Sequence, residues 1–274
     1  MNKIIFKEQL SKDVFCLKVQ AKEIAKNRKA GQFVIVMLNE NLAERIPLTI
    51  ADAENETITL IFQVVGATTF KLSKLNVGDE ISVVGPLGTP THIEKFGKVV
   101  CVGGGVGVAP LFPICKEIYK IGNEVNVILG ARTKELILWE ERFKDISHNL
   151  IVCTDDGSAG KKALVTEPLE EICKNNETKP DLVIAIGPLP MMKFCSLTTK
   201  KYDVKTIVSL NTIMIDGTGM CGGCRVSVNG ETKFVCVDGP EFDAAGVDFD
   251  NLLARGKSFA GIEHEHKCRI GLTK

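Results

Sequence analysis

A small antiparallel β-barrel, a parallel-sheet α/β domain and a short cysteine-bearing C-terminal domain make up the fold class that this 274-residue chain predicts. Three observations predict it. Short β-type runs separated by turn residues fill the chain up to about residue 96; from residue 98 strand-like and helix-like runs alternate; after residue 211, three cysteines gather in one glycine-rich stretch.

The barrel is read from β-type runs at residues 33–37, 57–65 and 80–84, interrupted by one helical stretch at 69–75 with Leu72 and Leu75 at i, i+3 spacing. The second region gives strands at 99–102, 124–129, 149–153 and 182–186, with helices at 110–119 and 164–173. Such alternation builds a parallel sheet covered by helices. In the third, Asn229-Gly230 is a type I′ turn signal between strands 225–228 and 232–237, and a last helix is predicted over 249–254. The domains are therefore expected at 1–96, 97–210 and 211–274.

Lys plus Arg equals Asp plus Glu at 34 each, so no net field is available to hold nucleic acid or an anionic membrane. The longest apolar stretch, residues 99–115, is broken by Gly103 to Gly105, Pro110 and Pro113, so no membrane span is expected. Ten cysteines raise the question of disulfides, but the opening MNKIIFKEQL lacks a signal-peptide core and cleavage site. The expectation is a cytoplasmic chain with reduced thiols.

Asp216-Gly-Thr-Gly-Met-Cys221-Gly-Gly-Cys224, followed by Cys236, has the ligand spacing of a plant-type [2Fe–2S] loop with an aspartate at the first position. Glycines let backbone pass close to inorganic sulfide, and a carboxylate is a harder donor than a thiolate. A structural zinc site is the alternative at this point. His264 and His266 near Cys268 raise a second metal reading, set against a solvated polar tail. Cys16, Cys101, Cys115, Cys153, Cys173, Cys195 and Cys268 are scattered singly and read mostly as buried small apolar residues.

Two turns in the middle region fit a dinucleotide. Gly103-Gly104-Gly105-Val-Gly107-Val-Ala109-Pro110 follows a strand and opens a helix, where backbone amides and the helix dipole favour a pyrophosphate. Gly187-Pro188-Leu-Pro190-Met191 ends the strand at 182–186. Tight strand–helix packing is the other reading of both turns. Asp155 and Asp156 end a further strand, where a carboxylate accepts from a ribose hydroxyl and repels a 2′-phosphate, favouring NAD(H); Arg132 nearby keeps NADP(H) open.

In the barrel, Arg45-Ile-Pro47-Leu48-Thr49 reads as strand and Gly66-Ala-Thr68-Thr69 leads into the short helix, and arginine and threonine donors suit a flavin phosphate. With the two glycine turns and the cluster loop following in order, essentially the whole chain resembles the ferredoxin–NADP reductase superfamily. That superfamily's common Arg-x-Tyr-Ser motif has Pro47 and Leu48 at its last two positions here, a departure similar to the electron-transfer subunits of type B dihydroorotate dehydrogenase. The resemblance implies FAD held by Arg45, Pro47, Leu48, Thr49, Gln63, Val64, Gly66, Thr68 and Thr69, with hydride passing to or from NAD(H) beside Thr49. Asp216 stands where those subunits are expected to have cysteine. That set, with Val237 to Asp243, resembles the small subunits of electron-bifurcating NADH-dependent reduced ferredoxin:NADP+ oxidoreductases. It implies a large partner carrying a second FAD and [4Fe–4S] clusters, and exchange with ferredoxin through the complex. A dihydroorotate dehydrogenase subunit, a reductase of another redox complex and a non-catalytic metal-stabilised adaptor are the competing readings.

Overall fold

The first region covers the apolar faces of its six short strands by closing the sheet on itself. In the computed structural model, which describes residues 1–38, 44–258, 260–269 and 271, the first elements are β1 (Asn2–Gln9), β2 (Val14–Gln20), α1 (Lys22–Asn27), β3 (Phe33–Leu38), β4 (Arg45–Glu54), β5 (Thr57–Gln63), α2 (Ala67–Lys74) and β6 (Glu80–Leu87). The strands close in the order β1-β2-β5-β4-β3-β6. Inward-facing Leu17, Val34, Val36, Ile50, Ile58, Leu60, Phe62 and Ile81 pack with Leu72 of α2 into one buried core. β5 ends at Gln63, earlier than expected, although the Val64 amide still donates at 2.8 Å to the carbonyl of Asp13, the residue opposite it in the β2–β5 register. α2 starts two residues earlier than expected because Thr69 is its third residue. The Thr69 hydroxyl accepts from the amides of Val65 at 3.0 Å and Gly66 at 3.1 Å and thereby caps the helix.

The middle region continues with β7 (Lys98–Gly104), α3 (Val108–Lys120), β8 (Glu124–Ala131), α4 (Glu140–Lys144), β9 (Asn149–Thr154), β10 (Lys161–Lys162), α5 (Thr166–Lys174), β11 (Leu182–Ile186), α6 (Leu189–Lys200) and β12 (Lys205–Ser209). β7 and β11 are buried along their apolar runs, as a strand covered on both faces must be. The chain then forms the hairpin β13 (Arg225–Val228) and β14 (Glu231–Phe234), β15 (Glu241–Asp243), α7 (Phe249–Gly256) and α8 (Ala260–Arg269). Asn229 and Gly230 have φ of 53° and 78°, the pair of positive values that a type I′ turn needs.

The sheet order is β10-β9-β8-β7-β11-β12-β15, parallel throughout except for β15, which runs antiparallel to β12. From β7 the chain works outward through β8, β9 and β10, then returns to lay β11 on the other side of β7. The C-terminal ends of β7 and β11 therefore flank the topological switch point.

The chain forms two compact units. One comprises Met1–Thr89, Thr212–Asp238 and the described residues from Asp248 on; the other comprises Pro90–Asn211 and Gly239–Val247. The segment after residue 211 is thus shared between them. Among the described residues, no helix is long and apolar enough to cross a membrane. Cys16, Cys101, Cys115, Cys153, Cys173 and Cys195 are buried, but Cys268 is exposed. Its helix, AGIEHEHKCR, has no apolar stripe with which to bury it.

Candidate functional site

The cluster-loop residues lie on the barrel's unit. Gly217, Gly219 and Gly222 have φ of 76°, 88° and 66°, a conformation that side chains with a Cβ rarely adopt. A Cβ on Gly217 would stand 2.7 Å from Ile35 on β3 and 3.0 Å from Leu87 on β6, so this glycine lets the loop lie directly on the barrel. Ile35 pairs with Pro47 of β4, so the strand beneath the loop is the immediate neighbour, at the ordinary strand spacing of about 4.8 Å, of the Arg45–Thr49 stretch.

Cys224 and Cys236 face each other with sulfurs 3.2 Å apart, and the Cys236 amide donates to the Cys224 sulfur at 3.5 Å. Two sulfurs on one tetrahedral metal are separated by about 3.8 Å, so a small adjustment admits a shared iron. Burial, reinforced by Cys224, pushes the Cys236 thiol up to about 12. A bound metal is what would hold it as thiolate. Cys221 is exposed at the tip of the loop.

The Asp216 carboxylate accepts from the Thr218 amide at 2.7 Å and from the Cys221 amide at 2.7 Å. These bonds, the Thr218 amide foremost, hold its carboxyl below the usual carboxylate range. Among the described residues no three metal-binding side chains are gathered into a cage. Donor chemistry, glycine geometry and the Cys224–Cys236 pair nevertheless fit a [2Fe–2S] cluster, with Asp216 required to turn from the amides toward iron. His264 and Cys268 stand 3.7 Å apart on α8.

One contributor escaped sequence reasoning. The Arg255 guanidinium, in the last turn of α7, donates to the carbonyls of Arg225 and Gly223, the latter at 3.2 Å. Those residues bracket Cys224. The signal was thin: an arginine in the last turn of an amphipathic helix has ample reason to be there without a site.

On β4, Arg45 is exposed and pairs with Met37, while Pro47, Leu48 and Thr49 are half-buried opposite Ile35, Val34 and Phe33. Several neighbouring candidates are already engaged. Gln63 donates to Asp13 at 2.6 Å, Val64 bonds the same residue's carbonyl, Thr68 donates to Glu44 at 2.8 Å, and Thr69 caps α2 with Gly66 as its partner. These contacts fix the approach of the chain to α2.

At the switch point the two predicted turns meet. A Cβ on Gly104 would lie 2.3 Å from the Met191 sulfur, one on Gly107 would lie 2.5 Å from the Ile186 carbonyl, and one on Gly187 would lie 2.7 Å from Met191 Cε. Gly103 is crowded by Leu111 and Val108, and Pro188 precedes α6. Most of these glycines are thus accounted for by interlocking alone. Gly105 differs: its φ is +55° and nothing lies within 4 Å of its Cβ position, so its backbone is open at the entrance to α3, where Ala109 and Pro110 form the first turn. Beyond β9, Asp155 and Asp156 are exposed. The Asp156 carboxylate accepts from the Ser158 hydroxyl at 2.6 Å and its amide at 2.9 Å, and these bonds, the hydroxyl's foremost, hold the carboxyl below its usual range. The Ser158 hydroxyl also accepts from the Lys134 amide at 2.8 Å, which ties this loop to the one after β8.

Glu241 of β15 pairs with Ser209 at the C-terminal end of β12, and the Thr91 hydroxyl donates to its carboxylate at 2.5 Å. Burial pushes this carboxyl up to about 7, against the opposing influence of Thr91.

Residues 211–248 match the iron–sulfur cluster binding domain of dihydroorotate dehydrogenase B, and residues 101–196 match the oxidoreductase NAD-binding domain. A dihydroorotate dehydrogenase B (NAD(+)) electron transfer subunit homolog of Thermotoga maritima is 48% identical over 258 residues, covering 93% of this chain and 90% of the relative. The corresponding subunit of Fusobacterium nucleatum is 30% identical over 251 residues, 88% of this chain and 95% of its own. An NADH-dependent reduced ferredoxin-NADP oxidoreductase structure, solved for insight into flavin-based electron bifurcation, superposes with a TM-score of 0.90 at 45% identity over 97% of both chains. A Neisseria gonorrhoeae ferredoxin NADP+ reductase with bound FAD and NADP shares the fold, with a TM-score of 0.61 at 18% identity over 74% of this chain and 90% of its own.

Proposed function

Since the chain belongs to the family of dihydroorotate dehydrogenase B electron-transfer subunits and their homologues, we propose that it interconverts hydride and single electrons within a flavin-based electron-bifurcating, NADH-dependent reduced ferredoxin–NADP oxidoreductase. The observation that carries this reading is Gly217 seated on Ile35, which brings the cluster loop within one strand of the flavin strand. FAD, when bound, supplies the step between two-electron hydride chemistry and the one-electron chemistry of an iron–sulfur cluster.

The chain's residues bind and orient. Residues 1–96, 97–210 and 211–274 serve as flavin, nucleotide and cluster segments. Arg45 is the cation for the flavin phosphate, Pro47 and Leu48 form an apolar wall, and Thr49 orients the nicotinamide for hydride exchange. Gln63, Val64, Gly66, Thr68 and Thr69 hold the amides of α2 toward the flavin's polar end. The open backbone of Gly105 and the start of α3 at Ala109 and Pro110 take the pyrophosphate. Gly103, Gly104, Gly107, Gly187, Pro188 and Met191 shape that crevice. Asp155 and Asp156 select NAD(H) by accepting from ribose hydroxyls, and Ser158 orients Asp156 for this. Asp216, Cys221, Cys224 and Cys236 hold the [2Fe–2S] cluster.

The protein works in a hetero-oligomer with a larger subunit. That partner, in this reading, carries a second FAD and [4Fe–4S] clusters, exchanges electrons with ferredoxin, and meets this chain in the cytoplasm. Anaerobic purification from the producing cells, with flavin, iron and sulfide analysis and mass spectrometry of companions, tests it. A large flavoprotein with [4Fe–4S] clusters is the expected companion. The match of residues 211–248 to the dihydroorotate dehydrogenase B cluster domain favours a second reading, a pyrimidine-pathway electron-transfer subunit; co-purification with a dihydroorotate-oxidising subunit would select it.

A further inference from the structure

Cys224 sits between two residues whose carbonyls are held by one cation. Asp248 caps α7 by accepting from the Asn251 amide at 2.9 Å, and its own amide donates to the Ser227 carbonyl at 3.0 Å, which anchors the helix to β13. Buried Phe249 and Leu252 fix its rotation. The last turn then delivers Arg255 to the carbonyls of Gly223 and Arg225. The guanidinium is partly desolvated and within electrostatic reach of the Cys224 sulfur and of Arg225. The Arg225 guanidinium itself donates to the Gly222 carbonyl at 3.3 Å. Two cations therefore flank one ligand position on a loop whose own charged group is Asp216.

A [2Fe–2S] cluster held by three thiolates and a carboxylate is doubly negative when oxidised and triply negative when reduced. A fixed positive charge beside it favours the reduced form, and net charge and hydrogen bonding are established controls of cluster potential. We infer that Arg255 is the positioning residue that sets the cluster's reduction potential, holding the Cys224 segment in shape while its charge stabilises the added electron. The inference rests on the assignment of Asp216, Cys221, Cys224 and Cys236 as ligands. It predicts separable consequences, because lysine keeps the charge and loses the two-carbonyl fork, whereas glutamine keeps a donor and loses the charge.

The experiment is an anaerobic redox titration of the full-length, cluster-loaded chain, followed by electron paramagnetic resonance, with iron and sulfide contents measured on the same samples. Arg255→Gln should lower the electron-uptake equilibrium at least tenfold, about 59 mV for a one-electron couple, while Arg255→Lys moves it much less. A glutamine variant with a full cluster at the wild-type midpoint overturns the inference. So do equal shifts in both variants, which would make the arginine a backbone clamp only. Should Arg255→Gln lose its iron, Arg255→Lys decides: a wild-type midpoint supports the charge role, and a midpoint at least tenfold lower in the same equilibrium overturns it. A wild-type chain without a [2Fe–2S] signal would instead overturn the ligand assignment.

Discussion

Replacing Glu241 by glutamine should make the protein more stable above neutral pH while leaving it nearly unchanged in mild acid. Burial raises this carboxyl to about 7 in the folded chain, from the 4.5 of an unhindered glutamate. The difference, at 1.36 kcal/mol per pH unit, comes to roughly 3 kcal/mol. For a raised acid, stability is fully present below the unfolded pKa and is lost as pH rises through the folded one. The loss therefore falls between about pH 4.5 and 7, because the folded chain resists an ionisation that the unfolded chain accepts. Glutamine can accept the Thr91 hydroxyl and does not ionise. The assay is the difference in melting temperature between wild type and Glu241→Gln, both loaded with cofactors, at several pH values from 5 to 8. Near pH 8 the variant should melt higher by roughly 5–10 °C, and near pH 5 by little. A difference that does not change with pH would refute the reasoning, since it would mean that Glu241 reaches solvent or a cation when ionised.

Cys224→Ser should abolish the visible and paramagnetic signature of the cluster with FAD retained, as measured by iron content and absorbance. Asp216→Cys should keep a cluster and change its midpoint, because a thiolate donates charge differently from a carboxylate; an unchanged spectrum and midpoint would remove Asp216 from the ligand set. Gly107→Ala places a methyl 2.5–2.8 Å from the backbone of Ile186 and Gly187, where nothing can yield cheaply. It should cost about 3 kcal/mol or more in urea unfolding and weaken NAD(H) binding in calorimetry. Thr69→Val removes the acceptor shared by the Val65 and Gly66 amides and should cost about 1–2 kcal/mol, with faster FAD loss on gel filtration.

The parts of this protein governed by local rules were legible in its sequence. The type I′ turn at Asn229-Gly230 follows from residue chemistry, and β11 at residues 182–186 follows from an unbroken apolar run. The β7 and β11 turns stood out by their glycines, but sequence alone left open whether those glycines serve a ligand or packing. The structure divides them: Gly104, Gly107 and Gly187 interlock, and Gly105 lies open. Three features were not legible because they are set by distant partners. Thr69 had to be seen reaching back to Gly66 before α2 could be started correctly. Arg255 gains its meaning from carbonyls some thirty positions earlier. The three residues of β15 are too few to carry a periodicity, and only pairing with β12 makes them a strand.

That short strand limits how the protein can be cut and rebuilt. A designer wanting a cluster-free reductase would trim the chain after residue 211, where the cysteine-bearing segment begins. Doing so would discard β15 as well, leaving the amides and carbonyls along the outer side of β12 open to any passing strand. The shortened product would be prone to self-association for a reason unrelated to iron. A usable version would keep Gly239–Val247 on a short graft, or place a charged or proline residue on β12 to blunt the exposed edge.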